Sequence, residues 1–268
     1  MLELGGETLV LTHDMMVEGV HWLPGQAMED VAWKLVATNL SDLAAKGARP
    51  IGVLTGVMLG EDDAGFVKGL GDALKHYGVP LLGGDTSGGA GPRTLGLTAI
   101  GRATHCPVPS RGGARAGDTL YLTGPVGAAM IGFEALRDVT GADTLAYRRP
   151  VALIPQGQAL APHVTAMMDV SDGLLLDSWR MAKASGVTFA IGSAAVPIAA
   201  MVPEVRRGDA LRWGDDYQLL FTAPAGVVLP IPVFPIGRTI AATDAPLLLD
   251  GEPFRNPEGL GYLHAASE

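Results

Sequence analysis

The 268 residues carry 19 lysines and arginines against 28 aspartates and glutamates, a formal charge of -9. This balance argues against partners such as nucleic-acid backbones and anionic membrane surfaces, which are gripped by surplus Lys and Arg. Hydrophobic residues make up 48% of the chain, ample for the cores of one large or two ordinary domains, and the single cysteine, Cys106, excludes an internal disulfide framework and a cysteine-rich zinc site.

In chain order, hydrophobic periodicity predicts a strand over 7–12 followed by Asp14. A helix follows over 29–46, with Val31, Leu35, Leu40 and Leu43 near one face and Gly47 as its stop. Next come a strand over 52–59, a helix over 62–76 ended by Gly78, a buried strand over 79–82 running into Gly83-Gly84-Asp85-Thr86, and a strand over 95–103. The small, basic, turn-rich stretch 110–117 marks the expected boundary between two domains, 1–112 and 113–268. Beyond it the pattern predicts a strand over 118–123, a turn over 124–127, a helix over 128–139, a strand over 164–170 and a helix opened by Ser171-Asp172-Gly173 and stopped by Gly186. The tail from Phe189 reads as short strands and proline turns. The expected fold class is α/β (α+β) in two domains.

The opening residues have neither a basic n-region nor an apolar h-region, so no signal peptide is expected. The longest uncharged stretches are broken by proline and glycine, so no membrane span is expected either. With one cysteine, the cytoplasm is the simple reading. Glycine, 37 residues, is about twice as frequent as the usual ~7% and implies many tight turns and close backbone approaches.

Acidic residues recur where predicted strands end: Asp14, Asp85, Asp169 and Asp172, with Asp42 on the first long helix. Two carboxylates about 4 Å apart repel by ~1 kcal/mol in water and ~4 kcal/mol at an effective dielectric near 20. Several sharing a cleft need cations, and hard oxygen ligands suit Mg²⁺, which bridges to nucleotide phosphates. Plainer roles compete at each position. Ser171 or Asp172 serves equally as a helix N-cap, Asp42 as an ion-pair partner of Lys46, and Asp85 as turn chemistry. Neither a Walker-type phosphate loop nor a Rossmann fingerprint is present, and Gly124-x-x-Gly127 reads foremost as helix–strand packing. His76, His105, His163 and His264 read as surface or loop residues.

Six motifs in order then become specific together: Thr12-His13-Asp14, Glu18-Gly19-Val20-His21-Trp22, Lys34 followed by Asn39-Leu40-Ser41-Asp42, Gly83-Gly84-Asp85-Thr86, Arg111 through Asp118 and Asp169 through Leu174, with Gly214-Asp215-Asp216-Tyr217 beyond. The chain resembles the thiamine-monophosphate kinases, of the superfamily that includes aminoimidazole ribonucleotide synthetase. The resemblance implies that superfamily's two-domain fold and phosphorylation of thiamine monophosphate to thiamine diphosphate, with ATP as co-substrate and several Mg²⁺ ions in an interdomain cleft. It also implies a homodimer joined through N-terminal sheet strands.

Carried over by position, Thr12, His13, Asp14, Asp42, Asp85, Asp169 and Asp172 would bind metal. Gly84, Asp85, Arg111 and Ser171 would meet ATP, with Tyr77 a looser nucleotide-stacking candidate. His21, Asp215 and Tyr262 would contact the thiamine substrate, and Asp42 and Arg111 would act in the transfer itself. Three departures stand out. Asp215 stands where many members have Glu, and His13 where Thr is usual. The family's acidic Asp-Asp-Ala-Ala stretch upstream of the first strand is also missing, so the expectation is either a shortened sequence or one metal site short of a ligand. The alternatives are a non-catalytic or diverged nucleotide-binding member of the superfamily, or another ATP-dependent member such as an aminoimidazole ribonucleotide synthetase-like enzyme.

Overall fold

The computed structural model describes residues 1–263; His264 lies outside them. The N-terminal half runs β1 (Leu2–Leu4), β2 (Glu7–Val17), α1 (Met28–Ala44), β3 (Ala48–Met58), α2 (Asp63–Tyr77), β4 (Leu81–Ser87) and β5 (Thr94–Ala103). Its strands form one sheet in the order β1-β2-β5-β3-β4. Strand alternation sends Val10, Thr12, Asp14 and Met16 of β2 towards the helices, and Leu11, His13 and Met15 to the other face. Helices α1 and α2 cover only the first face, where Val10, Met16, Val53, Val57, Leu95 and Leu97 meet Val31, Leu35, Phe66 and Leu70.

The rest of the chain adds β6 (Asp118–Leu122), α3 (Ala128–Asp138), α4 (Leu145–Arg148), α5 (Ile154–Leu160), β7 (Ala166–Asp169), α6 (Leu174–Ser185), β8 (Thr188–Ile191), α7 (Arg207–Ala210), β9 (Leu219–Pro224), β10 (Phe234–Ile240), β11 (Leu247–Leu249) and β12 (Glu252–Phe254). These strands build a second sheet ordered β12-β11-β8-β10-β6-β9-β7. Leu120, Leu122, Phe189 and Leu220 pack there against Leu174, Leu175 and Trp179.

Helix α1 joins the two halves. It is buried nearly all round, as a helix between two layers must be. One side packs on the first sheet. Another meets the stretch 144–161, whose Ala152 enters the first core and whose Leu160 joins Ala44 and Phe221 in an interface cluster. Asp30, 2% exposed, is paired with Arg148 and, at 2.5 Å, with Arg149 Nε.

Several expectations needed adjustment. Strand β2 continues through Asp14 to Val17, so that acid sits inside a strand. The 83–86 stretch lies in strand β4, and of the 79–82 run expected to be buried Val79 sits in the first core while Leu81 and Leu82 lie exposed on the edge strand. Helix α6 begins at Leu174 behind Gly173, with no side-chain N-cap from Ser171 or Asp172. The short helices α4, α5 and α7 had no sequence-level expectation. Among the described residues no helix is long and apolar enough to cross a membrane.

Candidate active site

A cleft of about 600 Å³ opens between the two halves. Its walls bring together Asp14 from β2, His21 from the turn after it, Lys34 and Asp42 from α1, Asp169 from the end of β7, Ser171 and Asp172, Asp215 and Tyr262. Four of the predicted metal-binding acids and all three predicted substrate contacts therefore share one space.

Helix α1 supplies the cleft's polar stripe. Lys34, Thr38 and Asp42 follow one another at four-residue spacing, one helical turn apart, so they share a face. Each polar side chain of this buried helix has a defined partner. The Thr12 hydroxyl donates to Asp42. Asn39 Oδ1 accepts from the Asp14 backbone N–H at 3.0 Å. Ser41 donates to Asp169 Oδ2 at 2.5 Å. Asp42 thus accepts a hydrogen bond from Thr12 and makes no close ion pair with Lys46.

The loop after β7 is shaped by a carboxylate outside the predicted set. Asp177, wholly buried on α6, accepts from the backbone N–H groups of Ser171 and Asp172, both at 3.0 Å. Arg180 bonds both Asp172 and Asp177. Facing this loop, Asp215 and Tyr217 adopt φ of +63° and +50°, a strained region for non-glycine residues. Two hydrogen bonds pin them, Asp215 N to Ser171 O and Tyr217 N to Val170 O, each 2.8 Å. A Cβ on Gly214 would sit 2.1 Å from Ser171 O, so only glycine lets these loops meet.

The electrostatics register the crowding of acids. Asp14 is pushed up to about 6 by burial, then by Asp42 and Asp172. Asp169 is pushed up to about 8, first by burial and then by Asp42. Lys46 is held below its ordinary value by burial and by the Arg111 guanidinium, against the upward pull of Asp169 and Asp42. The cleft's close ion pairs go to Asp215 and Asp172, leaving Asp14, Asp42 and Asp169 without a close cationic side chain. Among the described residues no three His, Cys, Asp or Glu side chains stand close enough to enclose an ion unaided. Mg²⁺ characteristically takes one or two carboxylates and completes its shell with water and substrate phosphates, so this donor set fits it.

The opposite end of the cleft is built differently. His21 Nδ1 accepts from the Val17 N–H at 2.9 Å, so in a neutral ring the proton sits on Nε2. Lys34 Nζ donates to Asp215 Oδ2 at 2.7 Å, and Tyr217 donates to Asp215 Oδ1 at 2.9 Å. Phe133 packs on Tyr147 and Trp213 at centroid distances of 5.2 and 5.1 Å, giving an aromatic wall. Lys34, Phe133, Tyr147, Trp213 and Tyr217 were absent from the sequence-derived set. Lys34 and Tyr217 stood in the motifs that carry the resemblance without a role read for them; Phe133, Tyr147 and Trp213 had no sequence signal.

Other predicted residues fall outside this cleft. The exposed His13 ring bonds Thr98 Oγ1 at 2.9 Å on the far face of β2, so alternation removes it from the Asp14 side. Asp85 and Gly84 lie on edge strand β4; Asp85 accepts from Thr86 N at 2.9 Å. Two strands separate β4 from β2, which puts their backbones roughly 14 Å apart at about 4.8 Å per strand. Exposed Arg111 does not line the cleft; its charge lowers the pKa of Lys46, near the end of α1. Tyr77 does not line the cleft: its hydroxyl accepts from the Ala152 N–H at 3.0 Å and its ring packs near Trp33 and His76. The helix start at Gly127 already holds the Asp216 carboxylate at 2.8 Å, which leaves no phosphate seat there.

This two-sheet architecture with an acid-lined cleft is that of the AIR synthase related proteins. The family models for their N-terminal and C-terminal domains match residues 1–103 and 115–233. The chain is 35% identical to thiamine-monophosphate kinase of Escherichia coli, over 97% of this chain and 88% of that one, and 34% identical to the Caulobacter vibrioides enzyme, over 97% and 81%. The solved structure of AaThiL complexed with AMPPCP and TMP superposes with a TM-score of 0.88 at 29% identity, covering 98% of this chain and 89% of that one. The chain belongs to the thiamine-monophosphate kinase family.

Proposed function

We propose that this protein transfers the γ-phosphoryl group of ATP to thiamine monophosphate, forming thiamine diphosphate. The observation behind this reading is the meeting of two unlike surfaces in one cleft. The carboxylates of Asp14, Asp42 and Asp169, with no close cationic side chain, lie at one end, and His21, Asp215 and an aromatic wall at the other. The first suits cations and phosphates, the second a planar heteroaromatic that needs hydrogen-bond partners.

The acceptor phosphate has a second pKa near 6 and is already mostly ionised at neutral pH, so no strong general base is required. The difficulty is bringing two anions together. Asp14, Asp42, Asp169 and Asp172 would hold Mg²⁺, which when bound supplies positive charge against the phosphates. Asp42 reaches into the cleft from α1, its carboxylate fixed by the Thr12 hydroxyl of β2. His21 presents its Nε2 side to the substrate while Nδ1 stays tied to Val17. Asp85 and Arg111 would serve the nucleotide from the rim.

The outer face of the first sheet exposes Leu11, Met15, Leu54 and Leu82, which supports a homodimer through that face. A single cysteine and dependence on ATP fit a cytoplasmic enzyme. The test is incubation of the protein with thiamine monophosphate, ATP and Mg²⁺, with chromatographic detection of thiamine diphosphate. ATP binding without product would favour a non-catalytic member of the superfamily.

A further inference from the structure

Lys34 is 2% exposed, yet it borders the cleft. Burying an ammonium is unfavourable unless its donors are matched. Here Nζ donates to Asp215 Oδ2 at 2.7 Å and to the His21 carbonyl at 3.1 Å, and lies 4.0 Å from the centre of the Tyr147 ring. The three partners come from three places: the turn after β2, helix α4, and the strained turn before β9. Tyr147 donates to the same His21 carbonyl at 3.4 Å. The His21 ring is fixed in turn, because the His21 N–H donates to Val17 O at 2.9 Å while Nδ1 accepts from Val17 N. Tyr217 holds the other oxygen of Asp215.

We propose that Lys34 is a positioning residue for the substrate end of the cleft, setting the separation of His21 and Asp215 across the two halves of the protein. This deepens the proposed function and rests on it. The second consequence concerns charge. Paired with Lys34, Asp215 meets the substrate as an oriented hydrogen-bond acceptor rather than as an uncompensated anion. Asp42, two helical turns further along α1, and Asp14 and Asp169 on other elements make no close ion pair with Lys34, whose carboxylate partner is Asp215.

The test compares initial rates of wild type, Lys34→Met, Lys34→Gln and Asp30→Asn. The last loosens a different buried ion pair that joins the same two halves outside the cleft. The expected result is a KM for thiamine monophosphate raised about tenfold or more in both Lys34 variants, with the KM for ATP within about twofold of wild type. Asp30→Asn should lower the melting temperature without that KM shift. If the Lys34 variants raise the KM for thiamine monophosphate no more than Asp30→Asn does, or if neither folds, Lys34 is a structural residue and the proposal is overturned. Wild type that makes no thiamine diphosphate defeats the proposed function before any variant is compared, and this inference falls with it.

Discussion

Ser41, on a helix of the first half, donates a 2.5 Å hydrogen bond to Asp169, at the end of a strand of the second half. A carboxylate that burial and Asp42 push up to about 8 is thereby held at the junction of the two halves. Its titration is a stability question. The carboxyl's pKa is raised on folding, so the native state binds more protons than the unfolded chain between pH 4 and 8. Stability from this group is present below its unfolded pKa of 3.8 and is lost as pH rises towards 8. In metal-free protein, the melting temperature of wild type relative to Asp169→Asn should therefore fall as pH goes from 5 to 8. Mg²⁺ with nucleotide should recover the difference in wild type only. A pH-independent gap between the two proteins would refute the assignment.

Asp42 faces the cleft with Thr12 as its hydrogen-bond partner. Asp42→Ala should lower kcat by roughly 10²–10³, the scale of losing one electrostatic contact to a transition state. Circular dichroism and the melting temperature should stay close to wild type. Near-normal turnover would discard the role.

Asp177 illustrates a purely supporting acid. It bonds two backbone N–H groups and Arg180 while wholly buried. Asp177→Leu removes all three partners' acceptor at once. The expected destabilisation in urea is about 3 kcal/mol, with Ser171 and Asp172 losing their fixed backbone.

Gly214→Ala forces a methyl group into Ser171 O. The strain should cost ~1–3 kcal/mol and displace Asp215. Thiamine monophosphate affinity measured by calorimetry should drop more than ATP affinity.

What could be read ahead of the structure follows a physical division. That Asp42, Asp169 and Asp172 border the cleft could be read from local patterns, a polar residue on a long helix and the end of a strand, whereas Asp14 reached it from inside a strand drawn too short. The 83–86 motif was visible too, but its conformation was not: glycines read as a turn, whereas Gly84 lies in a strand so close to Thr55 O that a Cβ would sit 2.4 Å away. Lys34 stood in the motif run that carries the resemblance, but no role could be read for it, because a lone lysine in an apolar helix looks like a solvated residue until both flanking layers are known. Phe133, Tyr147 and Trp213 meet only through tertiary packing, and α4, at four residues, is too short to show a helical period. His13 lay within a motif whose neighbours face the cleft, yet strand alternation turns it away, a distinction lost once β2 is drawn too short.

The Asp30 clasp on Arg148 and Arg149, with Ala152 seated in the first core, makes α1 an axle that both halves grip. A fragment cut near residue 112 would leave a bare acid inside a hydrophobic layer and a hole where the 144–161 segment belongs. Expressing the two pieces separately should yield aggregates, whereas co-expression should restore one particle.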